Sequence, residues 1–317
     1  MTRKIISIIL FLSLAIFSFS AKAASSQGGG LTISPPLLNI DLEPGKNYNQ
    51  VIKLNNPTKD IVEVYPVARN FTASGETGVP AIEAPDANPN YGLASWISFS
   101  SAKIVLTPEQ EAQFAYKITV PKDAEPGGHY GSVLFASQPP KIDEQATQVA
   151  LASMVGSLIL ANVSGAVVEK AEVKEFSTTH WIFFKSPADF ILRINNTGNT
   201  HVKPMGDIIV KNWGRKLSDS SINPNGGNIL PNSTRKFDKL TFKASPWAFG
   251  RFTANLVAVY GSKNAPLTAN LVFWIIPWWL IVVFALIILL IIFYIWRKKR
   301  KKPKVRANND ERKFVLR

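Results

Sequence analysis

The sequence lacks cysteine altogether and contains three histidines among its 317 residues. Without thiols the chain has no disulfide, no thiol nucleophile, no haem attached through cysteine and no zinc site built on thiolates. His129, His180 and His201 form no helical metal-binding pair, and none lies beside a Gly-x-Ser-x-Gly elbow. If a chain of this size is exported, the lack of disulfides is more typical of a bacterium than of a eukaryotic cell surface.

Motifs that mark enzymes and cofactor sites are missing as well. The glycine run at 28–30 lies close to the amino terminus and not between a strand and a helix, where a phosphate-binding loop would be. The acidic residues are scattered and do not form an Asp-x-Asp-x-Asp calcium pattern. We therefore predict a protein that is not an enzyme, with no catalytic residue, no metal and no cofactor. The alternative is a hydrolase whose carboxylate pair is brought together only by folding.

Charge is absent from residues 277–296, PWWLIVVFALIILLIIFYIW. Twenty residues span about 30 Å as a helix, which is the thickness of the hydrocarbon core of a bilayer. Trp278 and Trp279 at one end, and Tyr294 and Trp296 at the other, place amphipathic rings at both membrane interfaces. This stretch predicts one transmembrane helix over 277–296, and a buried core helix would not require these flanks.

The net charge of +14 belongs mostly to the carboxyl terminus. Residues 297–317 hold eleven basic and two acidic residues, and residues 1–23 hold three basic ones, which leaves about +2 for the rest. The high pI therefore does not indicate nucleic-acid binding. A basic run after a membrane helix favours a cytoplasmic tail at the inner-leaflet lipid; it comprises Arg297, Lys298, Lys299, Arg300, Lys301 and Lys302.

The amino terminus has the features of a secretory signal. Arg3 and Lys4 precede an apolar run, and Ala21 and Ala23 have the small-x-small spacing of a signal peptidase site. We predict a signal peptide over 1–23, a flexible leader over 24–30 and a single-pass cell-membrane protein whose N-terminal domains are extracytoplasmic. The end of the chain would then form a cytoplasmic tail over 297–317.

The exported part has the pattern of β-strands throughout. In Gln113–Val120, apolar and polar residues alternate with the period of two that a half-buried strand requires. Turn residues separate such runs at the spacing of a sandwich. We predict a mainly β fold of two β-sandwich domains, 31–165 and 166–270, followed by a strand end at 271–276 that leads into the membrane helix.

Two short segments in these domains resemble each other. Residues 52–56 and 192–196 both read apolar, basic, apolar, Asn, Asn before a turn, which indicates two similarly built sandwiches. Convergence on turn chemistry is the alternative. The runs at 52–54 and 62–64 predict either a hairpin or a crossing between sheets.

Residues 70–95 have no clear strand period and contain many glycines and prolines. We predict either a contact loop or an irregular excursion with a short hairpin inside it. Trp181, Trp213 and Trp247 are large apolar side chains for which core packing is the first expectation. A platform for sugar rings or for a partner protein is the second.

Three segments carry a resemblance to a known family. LTISPPLLNIDLEPGKNYNQVIKLNNPTKDIVEVY at 31–65, PGGHYGSVLF at 126–135 and NNTGNTHVKPMGDIIV at 195–210 resemble the WxL-interacting proteins of bacterial cell surfaces. The likeness covers most of the exported part and includes the terminal helix with its basic tail. It implies two immunoglobulin-like domains on a membrane anchor, the first binding peptidoglycan and the second contacting surface or host proteins.

Together these features predict a noncatalytic surface protein that holds peptidoglycan or exported partner proteins, with lipid as the partner of its helix. The alternative is a sensor or assembly component that recruits a cytoplasmic partner through its basic tail. The sequence identifies no ligand-contacting residue.

Overall fold

The computed structural model describes residues 30–84, 91–139 and 154–300. The predicted signal peptide with Ala21 and Ala23, nearly all of the leader and the tail from Lys301 onward, including Lys302, lie outside these residues. Within the described part the chain forms nineteen strands and one long α-helix.

The first sandwich contains the strands β1 to β10. One sheet has the order β1-β3-β8-β6, and the other has the order β2-β10-β9-β4-β5, with β7 paired to β4. The strands are β1 (Thr32–Ser34), β2 (Leu37–Leu42), β3 (Asn47–Asn55), β4 (Val62–Ser74), β5 (Val79–Ile82), β6 (Ile97–Phe99), β7 (Ile104–Leu106), β8 (Glu111–Thr119), β9 (Gly127–Ala136) and β10 (Met154–Val163).

Alternation of apolar and polar residues explains how these sheets face each other. Along β8, Phe114, Tyr116 and Ile118 are buried while their neighbours face solvent. They pack against buried residues of the opposite sheet such as Val133 and Phe135 of β9, and so form one hydrophobic core. The predicted strand at 113–120 is therefore confirmed.

The second sandwich contains β11 to β19. One sheet has the order β11-β13-β16, with β17 paired to β13, and the other has the order β12-β19-β18-β14-β15. The strands are β11 (Ala171–Thr178), β12 (Ile182–Phe183), β13 (Ala188–Asn196), β14 (Met205–Asn212), β15 (Arg215–Ser221), β16 (Thr234–Phe237), β17 (Thr241–Phe242), β18 (Gly250–Tyr260) and β19 (Ala265–Ile275).

The two sandwiches share one topology. The three-strand arrangement β1-β3-β8 of the first corresponds to β11-β13-β16 of the second. In each, a short strand near the beginning pairs in parallel with the last strand: β2 with β10, and β12 with β19. This is the arrangement of an immunoglobulin-like sandwich. The predicted fold class, two such sandwiches followed by one helix, is confirmed.

The connection from β3 to β4 passes from one sheet to the other. β3 pairs with β1 and β8, whereas β4 pairs with β9, β5 and β7. Of the two alternatives for residues 52–64, the structure shows the crossing and not the hairpin. Asn56, completely buried, fixes this corner because its side-chain amide donates to the carbonyl oxygens of Asp60 (2.8 Å) and Thr107 (2.9 Å).

The described parts of residues 70–95, which are 70–84 and 91–95, are more regular than a contact loop would be. β4 continues through Ser74, and Val79–Ile82 returns beside it as β5 in a hairpin. Gly75 and Gly78 turn the chain with φ angles of 56° and 76°, which explains why the glycines interrupted the strand pattern without ending the strand. A short 3-10 helix, Ala94–Trp96, follows. The alternative of an excursion with a hairpin inside it is confirmed.

The helix α1 (Trp278–Arg300) follows β19 after two residues. It is 23 residues long and, by length and composition, apolar enough to cross a membrane. It begins one residue after Pro277 and continues through Arg297–Arg300, which were predicted as tail. Lys and Arg are good helix formers and are favourable near the negative end of the helix dipole, which accounts for the extension.

Candidate functional site, the cleft between the sandwiches

A small apolar cluster joins the two sandwiches. Phe71 of β4, Tyr130 of β9 and Leu160 of β10 are buried in it, and Leu230 of the second sandwich packs against them. The rings of Phe71 and Tyr130 meet edge to face at 5.9 Å. Because residues from both sandwiches share this core, burial of apolar surface opposes their separation.

An ion pair supports the same junction on the β4–β5 hairpin. Arg193 of β13 binds Glu76 through two nitrogen atoms, with Nε 2.7 Å from Oε2, and it also binds Glu175 at 3.2 Å. Hydrogen bonding to Arg193 is the main cause that holds the pKa of Glu76 below its usual value. The backbone N–H of Lys236 donates to the carbonyl oxygen of Glu76 at 2.8 Å. The hairpin in the 70–95 segment is therefore a contact surface within the chain itself.

Asn199 ties the start of β9 to the second sandwich. Its carbonyl oxygen accepts from the N–H of Gly128 at 2.8 Å, and its side-chain amide donates to the carbonyl oxygen of Pro126 at 3.1 Å. A Cβ atom at Gly127 would lie 2.5 Å from the carbonyl oxygen of Asn199, and Gly127 has a φ of 119°. This close backbone approach therefore requires glycine.

An open cleft of about 510 Å³ lies beside this junction. The first sandwich contributes one wall, from β2 and β10, and the second contributes the other, from the start of β14 and the turn between β18 and β19. The lining is mixed, and ten of its residues have polar side chains. These are Asn39, Asp41, Asn162, Glu169, Thr200, His201, Lys203, Asn228, Ser262 and Asn264, with Ile40, Met205, Val259 and Tyr260 among the apolar or aromatic ones.

Hydrogen bonds hold several of these polar groups in place. The carboxylate of Glu169 accepts from the backbone N–H and the hydroxyl of Ser262, at 2.7 to 2.9 Å. The side-chain N–H of Asn162 donates to the carboxylate of Asp41 at 3.3 Å, and the side-chain oxygen of Asn162 accepts from the hydroxyl of Thr200 at 3.2 Å. The bond between Thr200 and Asn162 joins the two walls, and the other bonds hold side chains within each wall, so part of the lining is already ordered before a ligand binds.

His201 is the ionisable group set deepest in this cleft. Its ring Nδ1 lies 3.4 Å from the hydroxyl of Tyr130, and the two rings meet edge to face at 5.8 Å. Burial lowers the pKa of His201, against the opposing influence of Asp41 and Glu169, and burial also raises the pKa of the Tyr130 hydroxyl. The neutral imidazole is therefore the favoured form in the cleft.

The chemistry available in the cleft is hydrogen bonding. Among residues 30–84, 91–139 and 154–300, no three His, Asp or Glu side chains lie close enough together to hold a metal ion. His129 lies elsewhere, in the first sandwich, with its two ring nitrogens 3.2 Å and 2.9 Å from the carbonyl oxygens of Gly92 and Glu125. The cleft thus offers amides, hydroxyls and carboxylates to a ligand.

The membrane-interface residues predicted from sequence lie at the ends of α1. The Nε1 of Trp279 donates to the carbonyl oxygen of Pro246 at 3.1 Å, whereas Trp278 and Tyr294 are exposed. The guanidinium of Arg300 lies over the ring of Trp296 at 3.4 Å from its centroid. Arg297, Lys298 and Lys299 precede it in the last turn.

Core packing was the wrong expectation for three tryptophans. Trp181, Trp213 and Trp247 are 73%, 79% and 74% exposed. Their positions in turns, and not in the inward-facing register of a strand, explain the difference. None of the three lines the cleft.

Sequence reasoning identified no cleft residue as a ligand contact. The lining comes from segments far apart in the chain, among them 39–41, 200–203 and 259–264. Only the repeat of 52–56 in 192–196 pointed to related sandwiches, and it carried no information about the angle between them.

The sheets and the cleft define a chain of two immunoglobulin-like sandwiches with a C-terminal helix apolar enough for a membrane. No model of a known protein family matches the sequence, and no curated protein matches it. The crystal structure of the class 5 fimbriae chaperone CfaA is similar, with 16% identity and a TM-score of 0.39, over 78% of this chain and 100% of that chain.

Two further solved structures are similar at the same level. The Pseudomonas aeruginosa chaperone CupB2 has 10% identity and a TM-score of 0.35, over 75% of this chain and 98% of that chain. The E. coli chaperone DraB has 11% identity and a TM-score of 0.34, over 77% and 96%. At these values the similarities assign neither a family nor a function, and the fold class rests on the sheets described above.

Proposed function

We propose that the protein is a noncatalytic binding protein, anchored in the cell membrane by α1, that holds an exported protein or cell-wall peptidoglycan on its extracytoplasmic side. The observation that carries this proposal is the cleft, lined by ten polar side chains, between two sandwiches that share a small core. The second sandwich leads into an apolar helix with almost no linker. The basic residues after the helix favour the cytoplasmic side for the carboxyl end. The resemblance to WxL-interacting proteins points in the same direction.

The lining of the cleft suits a ligand that both donates and accepts hydrogen bonds. Asn39, Asn228 and Asn264 each carry a side-chain amide with one acceptor oxygen and two donor N–H groups. Asn162 already bonds to Asp41 and Thr200 and offers less. Peptide backbones and the amide-bearing sugars of peptidoglycan present the matching groups. The part of the lining that is already ordered reduces the ordering cost of binding.

Two valines of β18 allow a matched test. Val257 and Val259 are exposed, at 51% and 39%, on the same face of the strand, but only Val259 lines the cleft. In Val259→Arg a long charged side chain fills part of the cleft, so we expect retention of peptidoglycan sacculi or of exported proteins to fall at least about tenfold, a loss of about 1.4 kcal/mol. Val257→Arg should retain them as the unchanged chain does.

The measurement uses the full chain in lipid nanodiscs, incubated separately with sacculi and with an extract of exported proteins. Retention of neither by the unchanged chain would contradict the proposed function. If Val259→Arg and Val257→Arg reduce retention equally, the cleft is not the binding site.

Recruitment of a cytoplasmic partner by the basic tail stays a prediction, because residues 301–317 lie outside the described part of the chain. Exchange of residues 301–317 for an unrelated basic sequence tests it. Loss of function with unchanged surface display would favour this role.

A further inference from the structure

Exposed aromatic side chains are concentrated at one end of the second sandwich. Trp181, Trp213 and Trp247 are each more than 70% exposed, and Phe184 and Phe249 are 54% and 49% exposed. Solitary exposed apolar residues need no explanation, but a group of large rings at one end marks an interaction surface. We call this group the aromatic face.

The strand register brings the loops that carry these rings to one end. Gly250 at the start of β18 pairs with Ile275 at the end of β19, and Asn212 at the end of β14 pairs with Phe252. Phe183 pairs in parallel with Ile275. Trp213, Trp247 and Phe184 therefore lie at the end from which α1 leaves, two residues after Ile275.

Contacts within the aromatic face hold its loops together. The side-chain amide of Asn212 donates to the carbonyl oxygen of Arg251 at 3.0 Å. A Cβ atom at Gly250 would lie 3.3 Å from Cζ2 of Trp213, so this ring covers the Gly250 backbone. The ring centroids of Trp247 and Trp279 are 5.4 Å apart, which links the aromatic face directly to the first turn of α1.

The charge beside the aromatic face is mainly positive. The segments 181–189, 211–215 and 243–251 contain five basic residues and one acidic residue, Asp189. The basic ones are Lys185, Lys211, Arg215, Lys243 and Arg251. Each Lys or Arg near an anionic bilayer gains about 1 kcal/mol. The positive charge and the aromatic rings therefore both suit an anionic lipid surface.

We propose that the aromatic face lies in the outer lipid leaflet, with its rings at the boundary of headgroups and acyl chains and its basic residues at the lipid phosphates. The side chains of Trp and Phe favour the boundary between headgroups and acyl chains, and basic side chains favour anionic headgroups. Continuity with α1 selects lipid over a protein partner, because the helix brings these loops to the bilayer. The inference rests on the membrane anchoring in the proposed function and not on the ligand of the cleft.

This contact would fix the orientation of the binding cleft. The turn between β18 and β19, which lines the cleft, is at the opposite end of the 11-residue strand β18 from the aromatic face. Eleven residues of strand span about 35 Å. The cleft would therefore open roughly 35 Å above the membrane, toward the cell wall.

The absence of cysteine allows a direct test with single spin labels. Lys216→Cys places a nitroxide three residues after Trp213, on the edge strand β15, while Lys263→Cys places one in the turn at the far end of the same sandwich. β15 is three strands away from β19, the strand that leads into α1, which is a distance of about 14 Å. A label on β15 therefore reports on the position of the sandwich and not only on the position of α1. The full chain is studied in nanodiscs that contain phosphatidylglycerol and, besides the scaffold protein of the disc, no other protein.

Oxygen is more soluble in lipid, whereas a nickel chelate stays in water. We therefore expect the ratio of nitroxide collisions with oxygen to nitroxide collisions with the chelate to be several-fold higher at position 216 than at position 263. Adding Trp213→Ser should lower the ratio at 216, whereas Ile61→Ser, which removes an exposed apolar side chain of the first sandwich, should not. If the ratios at 216 and 263 are equal and water-like in chains that remain in the nanodisc, the aromatic face does not lie in the lipid, although the membrane anchor is still supported. Chains that do not stay in nanodiscs would refute the anchor itself.

Discussion

Buried asparagine side chains define equivalent corners of the two sandwiches. Asn196 at the end of β13 donates to the carbonyl oxygens of Thr200 and Ile229, both at 2.8 Å, and accepts from the N–H of Gly198 at 2.9 Å. Asn56 makes the same kinds of contact after β3, including a bond to the carbonyl oxygen four residues on. The similarity of residues 52–56 and 192–196 therefore reflects equivalent positions in the two sandwiches. In each, a buried asparagine lies where the chain leaves the equivalent strand, β3 or β13.

Replacement of Asn196 tests the role of this corner. In Asn196→Ala the carbonyl oxygens of Thr200 and Ile229 lose buried partners, so we expect the free energy of unfolding of the second sandwich to fall by about 2–4 kcal/mol. The adjacent Asn195 is half-buried and bonds to Glu172 and Thr234 on the surface. Asn195→Ala should cost less than about 1 kcal/mol. Urea unfolding followed by tryptophan fluorescence compares the two, and equal losses would contradict this role of Asn196.

The lowered pKa of His201 predicts a dependence of stability on pH. The unfolded chain binds a proton at His201 more readily than the folded one. The contribution of His201 to stability is therefore complete above the ordinary histidine pKa of about 6.5 and is lost as pH falls from there through the lowered pKa of the folded state. His201→Gln should therefore lose less stability on acidification than the unchanged chain. His180→Gln, at an exposed position, should behave as the unchanged chain does. Thermal unfolding between pH 7.5 and 5 measures this, and the same acid-induced loss in both variants would contradict it.

Elements with a clear period could be predicted from sequence, and those shaped by turns could not. β8 and α1 follow directly from alternation and from an uninterrupted apolar run. The hairpin of β4 and β5 was predicted only as one of two alternatives and without bounds, because Gly75 and Gly78 disrupt the pattern while their positive φ angles allow the turn. The exposed tryptophans were assigned to a core because periodicity carries no information about residues in loops.

The strand β19 belongs to the core of the second sandwich up to its last residue. Phe273 is completely buried and Ile275 nearly so. The ring of Phe273 packs against those of Phe183, Phe190, Phe242 and Phe252. The segment 271–276 is thus a structural part of the sandwich as well as the path into the helix.

A comparison of two soluble fragments tests the importance of this segment. Fragment 24–276 should fold, whereas fragment 24–270 lacks two buried side chains and the pairing partners of β12. Deletion of core side chains of this size costs about 3–5 kcal/mol each, which is close to the whole stability of an ordinary domain. Circular dichroism with thermal unfolding measures both fragments. A cooperative transition for the second sandwich in fragment 24–270 would contradict the assignment.

At the scale of the molecule, the angle between the sandwiches creates the cleft. That angle depends on the shared core around Tyr130, the close approach of Gly127 to Asn199 and the pair of Arg193 with Glu76. None of these contacts could be predicted from sequence, because each joins residues whose proximity only the packing of two domains determines. The two sandwiches could therefore be predicted from the sequence, but the cleft between them could not.

Charge reversal at the ion pair tests how firmly this angle is held. Glu76→Arg places two guanidinium groups together, so we expect a broader distribution of distances between spin labels at Lys117→Cys and Lys263→Cys. Glu76→Arg combined with Arg193→Glu should narrow the distribution again. The corresponding exchange of Lys216 and Asp219, a pair within one hairpin, should leave it unchanged. An unchanged distribution in Glu76→Arg, measured by pulsed electron paramagnetic resonance, would show that the pair does not set the angle.

The topology of the chain decides whether the cleft faces the cell wall at all. Single cysteines replace Lys263 in the second sandwich or Lys304 after the helix, and a membrane-impermeant maleimide is added to intact cells. A chain anchored with its sandwiches outside is labelled at position 263 before lysis and at position 304 only after lysis. Labelling at 304 with protection of 263 in intact cells would contradict the orientation and the binding function proposed from it.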